Sequence, residues 1–420
     1  MLAALFVAAG AYGATAARGA TKRPAVRSVR SVDGGRALRV AIATAAQSVT
    51  LGGTGEWRLY DRGGDGTLVR GLAGESWGVR RDGWRLRAVR GDGVPTDARQ
   101  GPFVARPTAL GALLTVNGKR YRGEITLVAT DSGLLVINRL PVEEYLRGVV
   151  PLEIGKRQPA ERAAIEAQAV AARSYAYAHF ADASRALYDV TGGVLDQVYD
   201  GVEAESPLTD AAVDATRGLV LRYGGRVISA PYSSSCGGMT AAATEVWQGG
   251  TDQPYLRAVS DQIPGTTRAY CDPAPRFSWT RTFQRSELNA AVQRYLRAYV
   301  TVPGNGVGTV QSVEIAGHTP SGRVRAVLVV TDHGQFTLRG NEMRFVLRAP
   351  GGEILNSTYF SLAAERDGDG ALGRLTVSGK GYGHGIGMCQ WGAIGRARAG
   401  QDFRTILQTY YQGTTVEMVD

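Results

Sequence analysis

The stretch from Pro159 to Tyr177 limits the fold more than any other part of this 420-residue chain. Alanine, the strongest helix former, stands at 160, 163, 164, 167, 169, 171, 172 and 176. Pro159 suits the first helical position, where its missing N–H costs nothing, and Glu161 complements the positive end of the helix dipole. A helix surfaced with methyl groups lets its neighbours come close, so this one reads as a buried scaffold element. The rest of the chain is built differently. Its 56 glycines favour tight turns and short strands over a helical bundle.

Short β-like runs fill the first third, among them Leu38 to Ile42 and Glu124 to Val128, broken by glycine and aspartate. Pro151 to Gly155 reads as a turn. Leu219 to Tyr223 and Arg226 to Ala230 read as a hairpin turning at Gly224 and Gly225. Further helices are predicted over Arg285 to Tyr299, Trp391 to Ala399 and Phe403 to Tyr411, with strands at Gly308 to Ile315, Val324 to Thr331 and Gln335 to Leu338. The expected class is α+β: a mixed, β-rich core around a buried alanine-rich helix. The expected division is a signal-like segment at 1–17, a linker at 18–36, a β-rich region at 37–140 and a main domain at 141–420, the last with an inserted subdomain at about 273–350.

The formal charge of +10 suits polyanionic or carboxylate-rich partners. Basic residues are scattered, without a run of five or more, which argues against a nucleic-acid tail. The first 17 residues are apolar, with small residues at Ala14 and Ala16, and read as an export signal lacking a basic start. They are too few for a comfortable membrane span of ~20 residues, so contact with a membrane would be peripheral. Export also makes a bridge between Cys236 and Cys271 plausible; three separate buried thiols are the competing reading.

Chemistry-bearing residues concentrate in the glycine-dense run Gly381 to Ala393, which holds His384, Cys389, Gln390 and Trp391. Such a run suits a loop that lets backbone approach a ligand, and equally a tight structural turn. Upstream, in order, stand Leu140 to Glu153, Ala167 to Tyr175, Gln197 to Gly201, Tyr232 to Gly238, Glu245 to Trp247, Pro254 to Leu256, and Leu338 to Asn341 with Arg344. These blocks, the glycine run and the closing stretch Phe403 to Thr414 resemble the stage II sporulation protein D and amidase-enhancer family, over about Leu140 to Thr414.

The resemblance implies action on bacterial peptidoglycan outside the cytoplasm. The family includes lytic transglycosylases that cut glycan strands between N-acetylmuramic acid and N-acetylglucosamine, often on peptide-stripped strands, and proteins described as enhancers of N-acetylmuramoyl-L-alanine amidases. Cleavage by the muramyl 6-hydroxyl needs one carboxylic acid, which protonates the leaving oxygen and takes the hydroxyl proton. A second carboxylate is dispensable because the sugar supplies its own nucleophile. Glu153 matches the family's catalytic glutamate, and its apolar neighbours Leu152 and Ile154 would raise its pKa. Glu143, Glu144, Glu161 and Glu166 are the alternatives, the first two also as ion-pair partners of Arg147.

Gln168, Arg173 and Tyr175 on the strong helix, Gln197 and Tyr199 on an extended segment, Ser234 and Ser235, and His384 and Gln390 are the expected glycan-positioning groups. A buried structural network competes for the helix residues, and a core histidine for His384. A Cys389–His384 nucleophilic pair is the rival chemistry. No cofactor and no zinc are expected: Val190 to Asp196, where some relatives carry a cysteine–histidine cluster, holds neither residue, and the four histidines have no ligand spacing. The glycine run is expected to fold back against Glu153.

Overall fold

The computed structural model describes residues 36–61, 66–180, 186–194, 196–249, 252–368 and 370–419. The expected signal-like segment and all but the last residue of the linker therefore lie outside the described residues. The architecture is α+β, with many short strands around a few helices.

The strand Gly133–Pro141 organises the first half. It pairs antiparallel with Ala37–Ala46 on one side and with Glu124–Thr130 on the other, inside a seven-stranded sheet. Its apolar run from Leu134 to Ile137 is buried on both faces, as expected of a strand at the centre of a core. The sheet continues through Phe103–Pro107 and Trp57–Asp61 to Gly66–Gly71. A second, five-stranded sheet is built from Ser48–Gly53, Ser76–Asp82, Arg85–Arg90, Leu114–Val116 and Lys119–Tyr121.

Pro141 ends the organising strand and serves as N-cap of the helix Val142–Ile154. The turn expected at Pro151 to Gly155 is instead the last turn of this helix. Pro151 lies within it, and the chain leaves the helix only at Gly155, whose φ of 73° is open to glycine. The Gly155 N–H bonds the Pro151 carbonyl at 3.1 Å, so the final turn that carries Glu153 is closed despite the proline.

The alanine-rich segment forms a short 3₁₀ turn, Pro159–Glu161, and then the helix Arg162–Ala178. Ala164, Ala167, Ala169, Ala171, Ala172 and Ala176 have no exposed surface. They pack against the helices Val142–Ile154, Pro207–Ala215, Gln390–Arg398 and Phe403–Tyr410, an approach that larger side chains would prevent. The hairpin at Gly224 and Gly225 is present, and Leu219–Tyr223 also pairs with the C-terminal strand Thr415–Met418.

One buried core runs from Leu38 to Tyr411 and draws on the β-rich region and the helices together. The expected boundary at 140 is therefore no break in packing. A second core is built from Phe283 to Val377, where Leu372–Lys380 pairs with both Ser278–Gln284 and Phe360–Arg366. No helix among the described residues is long and apolar enough to cross a membrane.

Candidate active site

Glu153 is half-buried, with part of its surface open to solvent. Its Oε1 accepts the Val198 N–H at 2.9 Å. Burial among apolar neighbours and tyrosines pushes its pKa up to about 7; the Val198 amide and the Gln390 side chain pull the other way and lose. Tyr145, Tyr175 and Tyr232 lie close enough to feel its charge. A carboxyl in this state carries a proton near neutral pH and can give it up, which is what a general acid requires.

The glycine run reaches Glu153 across the chain. Gln390 Nε2 donates to the Glu153 carbonyl at 2.9 Å and to Gln168 Oε1 at 3.2 Å. What holds the run in place is backbone conformation: Met388–Cys389 pairs in parallel with Tyr232–Ser233, and Gly387 turns into that strand at φ 68°. A Cβ on Gly387 would collide with the Pro231 carbonyl. Gly387→Ala is expected to cost at least about 1–3 kcal/mol from the left-handed backbone alone, read as a lower urea midpoint with unchanged m-value.

Several residues expected to touch substrate prove to be internal. Arg173 has no exposed surface: its guanidinium grips Glu143 through two 2.8 Å bonds and donates to the Leu219 and Val213 carbonyls. All its described partners are internal. Gln168, Gln197, Tyr199, Ser235 and Gln390 are buried as well. Gln197 links the Tyr145 and Tyr232 hydroxyls at 3.1 and 2.8 Å, and Tyr199 donates to Asn138 at 2.7 Å. The stretch around 197 to 199 is irregular rather than a strand. These side chains brace the wall behind Glu153.

His384 is also internal. Its Nδ1 accepts the Ile386 N–H at 3.0 Å, its ring bonds the Tyr232 backbone, and burial first, then the charge of Arg344, pushes its pKa down to about 3. It stays neutral, a core histidine satisfied by backbone. Tyr175 and Ser234 remain partly exposed. Tyr175 donates to Asp196 Oδ1 at 2.8 Å and stacks on His179.

Three of the four alternative acids are bound in ion pairs. Glu143 holds Arg173, Glu161 closes the capping box at Gln158 and pairs with Arg398, and Glu166 pairs with Arg162. Arg147 pairs with Asp210 and Asp214 rather than with its helical neighbours. Cys389 accepts the Cys236 and Gly392 amides and touches no ring nitrogen of His384 in any bond described. The expected Cys236–Cys271 bridge is not formed: all three cysteines are free and buried, with those two sulfurs 3.6 Å apart. Tyr145, Tyr232 and Asp196 escaped the sequence reading because a tyrosine or aspartate carries no local sign of which distant group it will face.

An open depression of about 540 Å³ lies elsewhere, beside Trp279 and Lys380 on the sheet of the second core. Its lining holds no carboxyl.

The site is thus one half-buried glutamate of raised pKa at a helix end, backed by a tyrosine–glutamine network and a returning glycine loop on an α+β scaffold. A family model described as stage II sporulation protein matches residues 130–223, which include Glu153, and a model for a domain of unknown function matches residues 266–387. Stage II sporulation protein D of Bacillus subtilis is 30% identical over 301 residues, covering 68% of this chain and 76% of that protein. The amidase enhancer of Bacillus subtilis is 29% identical over 345 residues, covering 72% of this chain but 45% of that protein. An uncharacterized protein of Brachyspira hyodysenteriae is 29% identical over 388 residues, covering 91% and 93%. The chain belongs to the stage II sporulation protein D family.

Proposed function

We propose that this protein is a peptidoglycan lytic transglycosylase of the extracytoplasmic compartment, with Glu153 as its single general acid and base. The observation that carries the reading is the state of Glu153: reachable by solvent, held by one backbone amide, and protonated up to a pH of about 7. In the reaction, the Glu153 proton passes to the glycosidic oxygen as the bond to N-acetylglucosamine breaks. The carboxylate then takes the proton of the muramyl 6-hydroxyl as that oxygen closes onto the anomeric carbon, giving a 1,6-anhydro end. Atoms balance without water. Tyr175 and Ser234, the partly exposed members of the expected set, would meet sugar in this reading, while the buried Gln168, Gln197 and Gln390 support Glu153 from behind.

Incubation of purified glycan strands, intact or peptide-stripped, followed by mass spectrometry tests the reading directly. Release of 1,6-anhydro-muramyl products supports it. Because the acid must carry its proton, kcat/KM is expected to fall about tenfold per pH unit above about 7, where Glu153 ionises.

The second reading rests on the relative named an amidase enhancer. In that case the chain grips peptidoglycan without cutting it and accelerates a separate N-acetylmuramoyl-L-alanine amidase. No anhydro products, together with a faster partner amidase, would select it.

A further inference from the structure

The four side chains Cys236, Cys271, Cys389 and Asp261 come from three stretches of sequence and meet with their ligand atoms all within 4.8 Å of one another. None has exposed surface. The Cys236 sulfur is 3.6 Å from the Cys271 sulfur and 3.6 Å from Asp261 Oδ2. Zn–S bonds of about 2.3 Å in a tetrahedron put neighbouring sulfurs about 3.8 Å apart, so the spacing is close to that of a ligand set around an ion.

The surroundings are polar rather than a purely apolar core. Cys389 Sγ accepts two backbone amides, from Cys236 at 3.2 Å and from Gly392 at 3.3 Å. The carboxylate of Asp261 is aimed by its neighbours: Oδ1 accepts the Tyr410 hydroxyl at 2.7 Å and the Arg396 guanidinium at 3.1 and 3.2 Å, which leaves Oδ2 toward the sulfurs. Such outer bonds orient a metal ligand and fix which oxygen it offers. Gly392 has room for no side chain, because a Cβ there would collide with Oδ2 and with the Tyr410 hydroxyl.

Charge accounting points the same way. Arg323 is 1% exposed and spends Nη2 on the Cys236 and Met239 carbonyls, while its Nε and Nη1 find no hydrogen-bond partner. A buried guanidinium so placed calls for nearby negative charge. Three thiolates and one carboxylate around a dication carry a net charge of two minus. The guanidiniums of Arg323 and Arg396 beside them bring the cluster to neutrality.

We propose that Cys236, Cys271, Cys389 and Asp261 form a structural site for one zinc ion, closed to solvent and substrate. Thiolate donors select zinc over magnesium or calcium, and four protein ligands leave no position open for catalysis. The ion would tie the Tyr232–Ser233 strand, the loop from Asp261 to Cys271, and the glycine run at Cys389. Gln390, next in the chain, bonds the Glu153 backbone, so the site would clamp the loop that supports the acid. The proposal stands whether or not Glu153 cleaves glycan.

The test uses the full chain purified under reducing conditions without chelator. Elemental analysis is expected to find about one zinc per chain, and cobalt exchanged for zinc to show thiolate-to-metal charge-transfer absorption of a tetrahedral ion. Cys271→Ser is expected to hold less than a tenth of the metal, and Asp261→Asn to hold it more weakly. Because a variant that fails to fold would also lose metal, a second measurement uses the unaltered chain. A strong chelator should lower its Tm, and added zinc, but not magnesium, should restore it. A chain without bound zinc or cobalt absorption overturns the proposal. In that event, a Cys236–Cys271 disulfide found in mapped peptides would make the cluster a redox pair, and three thiols that alkylate only on unfolding would make it ordinary packing.

Discussion

Glu153→Gln is expected to abolish release of 1,6-anhydro products, a loss of at least about 10²–10⁴-fold, the usual contribution of a positioned acid or base. The fold should survive the change. The glutamine carbonyl can accept the Val198 N–H that the carboxylate accepts now, and the side-chain volume is nearly the same. Affinity for glycan strands should persist, since the proposed sugar contacts of the partly exposed Tyr175 and Ser234 are untouched. Stability carries a second signature. The folded pKa of Glu153 is about 7, above its value of 4.5 in an unfolded chain, so the folded state holds the proton more tightly. Stability from this group is then full at acid pH and is lost as pH rises between about 4.5 and 7. The glutamine variant lacks that slope and should be the more stable of the two at pH 8. An unchanged cleavage rate in the variant would remove Glu153 from the mechanism.

How much of this could be read from residues alone follows from where each signal resides. Local signals carried the secondary structure: the alanine run formed the helix Arg162–Ala178, and the paired glycines at 224 and 225 turned the hairpin. Local reasoning failed where a tertiary partner decided. Pro151 read as a break, yet Gly155 closes the turn behind it. Arg147 read as the partner of Glu143 or Glu144 at helical spacing, yet its partners Asp210 and Asp214 lie on another helix. That the glycine run folds back against Glu153 was expected from the family resemblance; that Gln390, 237 residues away, bonds the Glu153 carbonyl was not, for nothing in the spacing of two such distant residues specifies a contact. Polar identity suggested sugar contacts for Gln197, Tyr199 and His384; burial gives them internal hydrogen bonds instead. The three cysteines and Asp261 were invisible as a set because no two of them are near neighbours in sequence.

Arg173 provides the sharpest test of that last distinction between binding and bracing. A substrate-positioning arginine, when replaced, raises KM and leaves stability nearly unchanged. The buried pair seen here predicts the reverse. Arg173→Met would strand Glu143, whose side chain is 15% exposed, with the Gly218 amide at 3.2 Å as its remaining described hydrogen bond, and would leave the Leu219 and Val213 carbonyls without this donor. Removing one partner of a buried pair costs about 3–5 kcal/mol because the other charge is left uncompensated. The expected result is a large fall in the urea midpoint, with substrate affinity unchanged in whatever fraction stays folded. Adding Glu143→Gln to the same chain removes the stranded charge and should recover part of the loss, so the double variant should be more stable than Arg173→Met alone. If instead Arg173→Met melts like the parent and binds glycan poorly, the pair seen between Arg173 and Glu143 contributes little, and Arg173 belongs with the substrate groups after all.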